Sequence, residues 1–353
     1  EFRRALPISA KGSVAQQLIS SQRGLTIEAS SADELFQDLA ASIDALEKLA
    51  EPPLTTAVTI ARMKRCLHDP VRRVELHDLV MGRAHQVAET IDALPVTGGS
   101  DYGVIDERLA ELFCATSPLL RLLIEGVHHD DAGDHTRLWI DVLQRLLDAR
   151  HELTGQTLLL DLQHYPALLA LRTMSIVVVH RGRNDLLIDL FTLPQWEHPG
   201  KARAPKHAVN VLHPAEVLND NGWIDQLPRW GTTRGWLYPS SHLLNSDLSP
   251  LFADYLTGSG RYNIVSDDVE YLTGLAQTFL RDPGAHPPNS GEFLLETKWD
   301  HGDPERPHSE VRFKERIDAR GPGAWTRITP TGAWEDKYLD EYRAIISRYR
   351  RWA

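Results

Sequence analysis

Sulfur is scarce in this chain: two cysteines and three methionines in 353 residues. Cys66 and Cys114 by themselves build neither a disulfide framework nor a zinc site, so a reducing compartment fits best and the sequence predicts a cytoplasmic protein. No uninterrupted apolar run reaches membrane-spanning length, and no basic segment followed by an apolar stretch opens the chain. The sequence therefore predicts neither a membrane span nor secretion. Basic charge is also in deficit, with 38 Lys and Arg against 49 Asp and Glu and a formal net charge of -11. That balance disfavours broad electrostatic binding to nucleic acid or anionic lipid, while a local basic face is compatible with it.

Catalytic signatures are missing too. There is no Gly-x-x-x-x-Gly-Lys-Ser/Thr phosphate loop and no Gly-x-Gly-x-x-Gly after a strand. The nearest approach to a Gly-x-Ser-x-Gly nucleophile elbow is Thr257-Gly258-Ser259-Gly260, which lacks the flanking strand. No His-Glu-x-x-His or cysteine-pair motif is present. Both cysteines sit in helical stretches among apolar neighbours and read as core. No cofactor follows from the sequence.

What is present is an ordinary globular composition, 42% hydrophobic and 25% charged, in a chain long enough for two or three domains. Glu1-Phe2 followed by Arg3-Arg4 reads as an internal start, so a fragment of a longer polypeptide is expected. Leu25 to Ala29 reads as a short strand. Ser31 and Glu34 then form a capping box ahead of Leu35, Phe36, Leu39, Ile43 and Leu46 at helical spacing, and Pro52-Pro53 ends that helix. Residues 1–53 are expected to be the tail of an upstream α/β domain or an N-terminal cap.

From Leu54 to Leu193 the pattern is helical. Asp69 and Pro70 provide an N-cap and a first-turn proline for a helix running to about Leu94. Ile105, Leu109, Leu112, Phe113, Leu119, Leu120 and Leu123 make the next stripe, with a kink or break expected at Pro118. Leu138, Trp139, Val142, Leu143, Leu146 and Leu147 mark another helix. Ile176 to Val179 has strand composition, but it lies inside a longer pattern opened by Pro166, which favours a buried helix. Helix, short turn, helix without a fixed repeat period describes an irregular helical array over 54–193.

Residues 194–353 are expected to form a second helical lobe with long loops. Prolines and glycines punctuate 194–240, and Trp196, Trp223, Trp230 and Trp236 mark that segment as packed, filling a core in preference to lining a pocket. Helices are expected over Ser241–Leu256, Asp267–Arg281, part of Glu292–Arg320 and Glu335–Arg351. The predicted fold class is thus mainly α: an irregular helical array, a Trp-rich, loop-rich second helical lobe, and a short β/α segment at the N-terminus.

Two groups of residues suggest chemistry. His128, His129, Asp131 and His135 have the side-chain types of a zinc or other divalent-metal site, though as near neighbours in a turn their side chains diverge. With dispersed partners they would serve a metal-dependent hydrolase or nuclease. Lys201, Arg203 and Lys206, with Arg348, Arg350 and Arg351 beside Tyr349 and Trp352, are the basic groupings a partner or nucleic acid would contact. They define a second alternative, a nucleic-acid-sensing module. His77 and His85 lie two turns apart on one helix, too far to share a metal, and Arg72, Arg73, Glu75 and Asp78 read as ion-pairing residues.

The segment GLTIEASSADELFQDLAASIDAL, Gly24 to Leu46, resembles the closing strand and helix of bacterial SIR2-like domains. YPALLALRTMSIVVVHRGRNDLLIDL and DDVEYLTGLAQTFL are similar to the helical regions that follow such domains in actinobacterial proteins. The resemblance spans about half the chain and is carried mostly by leucine-rich helical text. It implies antiphage defence, in which the SIR2-like part consumes NAD and the helical part senses or assembles. The family's Gly-Ala-Gly-x-Ser nucleotide loop is absent and no Asn/His pair stands in a catalytic context, so no catalytic residue carries over. The resemblance and the missing motifs together predict a non-catalytic regulatory, sensor or assembly region that acts by protein–protein recognition or self-association beside an upstream NAD-consuming effector domain.

Overall fold

The computed structural model describes residues 55–97, 101–150, 154–200, 204–219, 222–232, 235–258, 260–281, 286–295 and 307–350. The chain divides into two units, Glu1–Ala57 and Val58–Ala353. The strand and capped helix expected at Leu25–Leu46 lie outside the described residues. The second unit is mainly α-helical.

Helix α1 covers Thr56–Leu67. Asp69 then behaves as its side chain dictates: its carboxylate accepts the Val71 N–H at 3.0 Å, and Pro70 opens a 3-10 turn that feeds helix α2, Arg73–Ala93. Leu76, Val80, Ala84, Val87 and Ile91 recur every three or four residues on α2 and are buried. Helix α3 runs from Tyr102 to His129, capped by Asp101 through the Gly103 N–H at 3.1 Å. It continues through Pro118, where the sequence predicts a kink or break. Proline removes one ladder hydrogen bond, while buried Leu109 and Leu112 on one side and Leu119, Leu120 and Leu123 on the other hold both halves in place.

Helix α4, Thr136–Asp148, buries Trp139, whose indole N–H donates to the carboxylate of buried Asp130 at 2.9 Å. Gly126 of α3 lies under that ring, and a Cβ there would sit 3.0 Å from Cζ3 and closer still to Cη2. Glycine is required by proximity at this crossing.

Helix α5, Tyr165–Arg181, is the centre of the unit: every residue from Tyr165 to Val179 is buried. It packs on α3, on α4, and on helix α6, Asn184–Thr192. Pro166 occupies the first turn and Gly182 closes the helix at φ 70°. The β-branched run Ile176–Val179 is helical, because burial on all sides outweighs a helix-propensity deficit of a few tenths of a kcal/mol per residue. With the preceding turns, Thr157–Arg181 is long and apolar enough to cross a membrane by length and composition, and its most apolar 18-residue window is buried in protein. Counting uninterrupted apolar residues overlooks it, because His164 and Arg172 interrupt the run.

Beyond α6, Gln195–Trp196 pairs antiparallel with Lys206–His207, a two-residue ladder too short to leave a period-2 pattern in the sequence. Helix α7, Pro239–Leu248, passes into a 3-10 turn at Ser249–Phe252, where Pro250 cannot extend the α ladder that the sequence predicts to Leu256. Helix α8, Arg261–Leu280, begins six residues before the expected Asp267 and packs on α5. Helices α9, His308–Arg320, and α10, Lys337–Arg350, both pack on α8. Tyr338, Leu339, Tyr342 and Ile346 are the buried side of α10. Because α5 touches both α3 and α8, packing is continuous across residue 193, and both regions expected from the sequence lie within one compact unit. Cys66 is core; Cys114 is exposed, contrary to its apolar sequence neighbourhood.

Candidate functional site

The histidine–aspartate turn closes α3, and its side chains radiate because successive helical residues are rotated by about 100°. His128 stands edge-on to Tyr255, with ring centroids 5.4 Å apart, and burial with the Arg181 charge holds its pKa below the usual range. His129 Nε2 lies 3.4 Å from Glu125 Oε2, one turn back, and the same carboxylate meets Lys64 Nζ at 2.7 Å. Asp131 pairs with Arg181. His135 turns the other way and places Nε2 3.0 Å from the Leu67 carbonyl oxygen. Among the described residues no three His, Cys, Asp or Glu side chains are grouped to hold a metal ion. The member that does most here is Asp130, which anchors Trp139 and faces Arg183 at 3.7 Å. The turn thereby fastens the end of α3 to its neighbours.

Of the basic groupings, Lys201, Arg203 and Arg351 lie outside the described residues, as does the Arg350 side chain. Lys206 is partly buried in its short strand, and Arg348 is exposed on α10. Arg343 of that helix is held by Glu310 and by Asp340 at 3.0 Å. His77 and His85 are on α2, where they contact Asp78 at 3.3 Å and the Met81 carbonyl at 2.8 Å.

The structure reveals polar networks that sequence patterns do not bring together. Arg172, the single charge inside the buried run of α5, places Nη2 2.9 Å from Glu270 Oε1 of α8, with both side chains buried. The same nitrogen donates to Ser266 Oγ at 2.8 Å and to its carbonyl at 3.1 Å. Ser241 of α7 donates to Glu270 and accepts the Glu292 N–H at 3.2 Å. Ser266 donates to Asn245 Oδ1 at 2.6 Å, and Asn245 Nδ2 donates to Glu292 at 2.7 Å. Glu292 ends the chain against His242, 3.2 Å away, which is stacked on Trp236 with ring centroids 3.5 Å apart. Burial raises the Glu270 pKa against the opposing pull of Arg172. A lone arginine in an apolar helix requires a partner, which is legible in the sequence; which carboxylate supplies it is not.

A second network fixes the Trp-rich segment. Arg229 donates to Asp106 of α3 through its side chain and, at 2.8 Å, through its backbone N–H, and it reaches Asp247 of α7 at 3.1 Å. Tyr165 donates to the other Asp247 oxygen at 2.6 Å. A third joins Arg150 to Asp161 at 2.9 Å, with the guanidinium 5.2 Å over the Trp196 ring. The four tryptophans of this segment therefore serve different contacts. Trp196 lies under Arg150, Trp223 is buried, and Trp230 and Trp236 stand against His242.

These networks occupy charged side chains in cohesion, and the surface offers something different at the α1–α2 corner. Val71 is 90% exposed and Val74 72%, and Val58 is also in water. Val58 precedes Arg62 by one turn of α1, and Arg62 Nε reaches Glu75 of α2 at 2.6 Å. Val71 and Val74 precede Glu75 at the opening of α2.

No family model, no curated protein and no solved structure matches the chain in comparisons of its sequence and fold.

Proposed function

We propose that this chain is a non-catalytic recognition region, a regulatory or assembly part of a larger cytoplasmic protein of the bacterial defence type, whose partner is a protein or a second copy of the chain. One observation carries the reading: Val71 and Val74 stand in water where α1 turns into α2, while charged side chains inside the unit are committed to buried networks. Exposed apolar side chains at a helix junction are surface that a protein partner can cover, and helix pairs present such corners to partners. An NAD-consuming domain upstream is the effector this recognition would serve.

Sedimentation velocity across a concentration series tests self-association, and NAD turnover by the upstream domain, with and without the chain, tests regulation. We expect the wild-type chain to associate or to alter that turnover, and Val71→Asp/Val74→Asp to do neither while keeping its helical circular dichroism. A chain that consumes NAD alone overturns the reading. So does a chain that stays monomeric and leaves turnover unchanged.

A further inference from the structure

A groove of about 540 Å³ opens between the C-terminal end of α5, the start of α8 and the face of α9, and its charge runs against that of the whole chain. Its one lining carboxylate, Asp268, is already shared by two guanidinium groups: Arg312 Nε donates to Oδ1 at 2.8 Å and Arg316 Nη1 to Oδ2 at 3.1 Å. Arg316 also lines the groove, with its side chain 32% exposed, although its Nη2 is itself shielded from solvent. Arg261, the first residue of α8, is exposed on the opposite wall and forms no ion pair among the described residues. Arg261 and Arg316 thus line the groove with Asp268 as the one carboxylate among its described lining residues, in a protein whose formal net charge is -11.

Arg261 is also placed against its own helix. A cation at a helix N-terminus opposes the macrodipole, by about 0.3–1 kcal/mol. No acidic residue in the first turn of α8 and no side-chain cap offsets it. Gly258 and Gly260, at φ 117° and 76°, lie ahead of the helix, and neither would bring a Cβ within 4 Å of a neighbour. A sequence that breaks a local rule without a local gain points to a site. The remaining lining is mixed: Val179, Val265 and the 46%-exposed Ile264 are apolar, and His180 and Thr257 are polar. The volume lies within the range of about 300–1,000 Å³ that small-molecule sites occupy, more than a bare phosphate fills.

We propose that this groove binds a small phosphorylated molecule, its phosphate held between Arg261 and Arg316 and its organic part laid against Val179 and Ile264. Guanidinium groups suit the phosphate because their planar N–H fork matches its oxygens, and the start of α8 adds a favourable dipole end. The assignment is independent of the valine corner and of any partner protein.

Isothermal titration calorimetry with phenyl phosphate, inorganic phosphate and phenol tests it on the full chain. Phenyl phosphate is expected to bind at least about tenfold more tightly than inorganic phosphate, and phenol to show no binding, because charge anchors the ligand and the ring adds apolar contact. Arg261→Ala is expected to weaken phenyl phosphate at least about tenfold while the unliganded protein melts no lower than wild type, since an unfavourable charge–dipole contact is removed. Arg137→Ala, at a residue 80% exposed on α4 that does not line the groove, serves as the charge control and is expected to bind as wild type does. Absence of saturable binding overturns the proposal. So does equal weakening by Arg261→Ala and Arg137→Ala, which reads as attraction to general surface charge.

Discussion

Arg172 and Glu270 form an ion pair at 2.9 Å between the two most buried helices of the unit, α5 and α8. Such a pair contributes little net stability when intact, since desolvation offsets attraction, and much of its effect appears when one partner is lost. Arg172→Met is therefore expected to lower unfolding stability by about 3–5 kcal/mol, because Glu270 is left charged and buried. The double variant Arg172→Met/Glu270→Leu should recover most of that loss. Urea unfolding of the four proteins in the cycle reads both outcomes, and additive losses would contradict the pairing.

Gly126 and Trp139 make a steric prediction. Gly126→Ala puts a methyl group into the fully buried indole that Asp130 holds by a hydrogen bond. A loss of about 1–3 kcal/mol in urea unfolding is expected, with a change in the near-ultraviolet circular dichroism of the tryptophans. Gly82→Ala is the control, since a Cβ there meets nothing within 4 Å. In a helix interior that change should stabilise by about 0.5–1 kcal/mol.

His213 sets a pH dependence. It is buried, its Nδ1 accepts the Ala215 N–H at 3.0 Å, and its Nε2–H donates to the Pro287 carbonyl at 3.0 Å. Burial lowers its pKa from 6.5 to about 4. The unfolded chain therefore takes up the proton first as pH falls, and stability declines from near pH 6.5 down to about pH 4. The contribution lost by pH 5 is about 2 kcal/mol. His213→Asn keeps an acceptor for the Ala215 N–H and does not titrate. It should be less stable than wild type at pH 7 and show a flatter stability profile between pH 7 and 5. Identical slopes in the two proteins would contradict this assignment.

Arg229 ties Asp106 of α3, 123 residues before it, to Asp247 of α7, 18 residues after it. Arg229→Ala leaves two largely buried carboxylates without that cation, and Arg229→Lys supplies charge without the fork that reaches both. Both variants are expected to lose stability, by roughly 2–4 kcal/mol for alanine and somewhat less for lysine. Limited proteolysis should cut first between 222 and 240, and tryptophan emission should shift to the red as Trp230 and Trp236 gain water. Protection equal to wild type would place the hold on this segment elsewhere.

Much of the helical text was legible because local rules and packing agree. Asp69 and Pro70, Pro166 and Gly182, and the stripe Leu138 to Leu147 act as start, stop and face signals that need nothing distant to be read. Pro118 misleads as a break because the decisive contacts are the leucines on either side of it. The early start of α8 is hidden because Arg261 is a poor first-turn residue whose placement serves the groove.

The sequence by itself determined that the chain builds helices, where most of them begin and end, and that a charge such as Arg172 inside an apolar run must find a partner. Those follow from hydrogen-bond periodicity, dihedral limits and desolvation, all of which act within a few residues. Only the tertiary structure decided that the partner is Glu270, that the consecutive histidines and aspartates of the α3 turn go to separate partners, and that Arg261 and Arg316 line one groove. Helix rotation and chain crossing set the directions in which side chains meet, and neither is written at any single position.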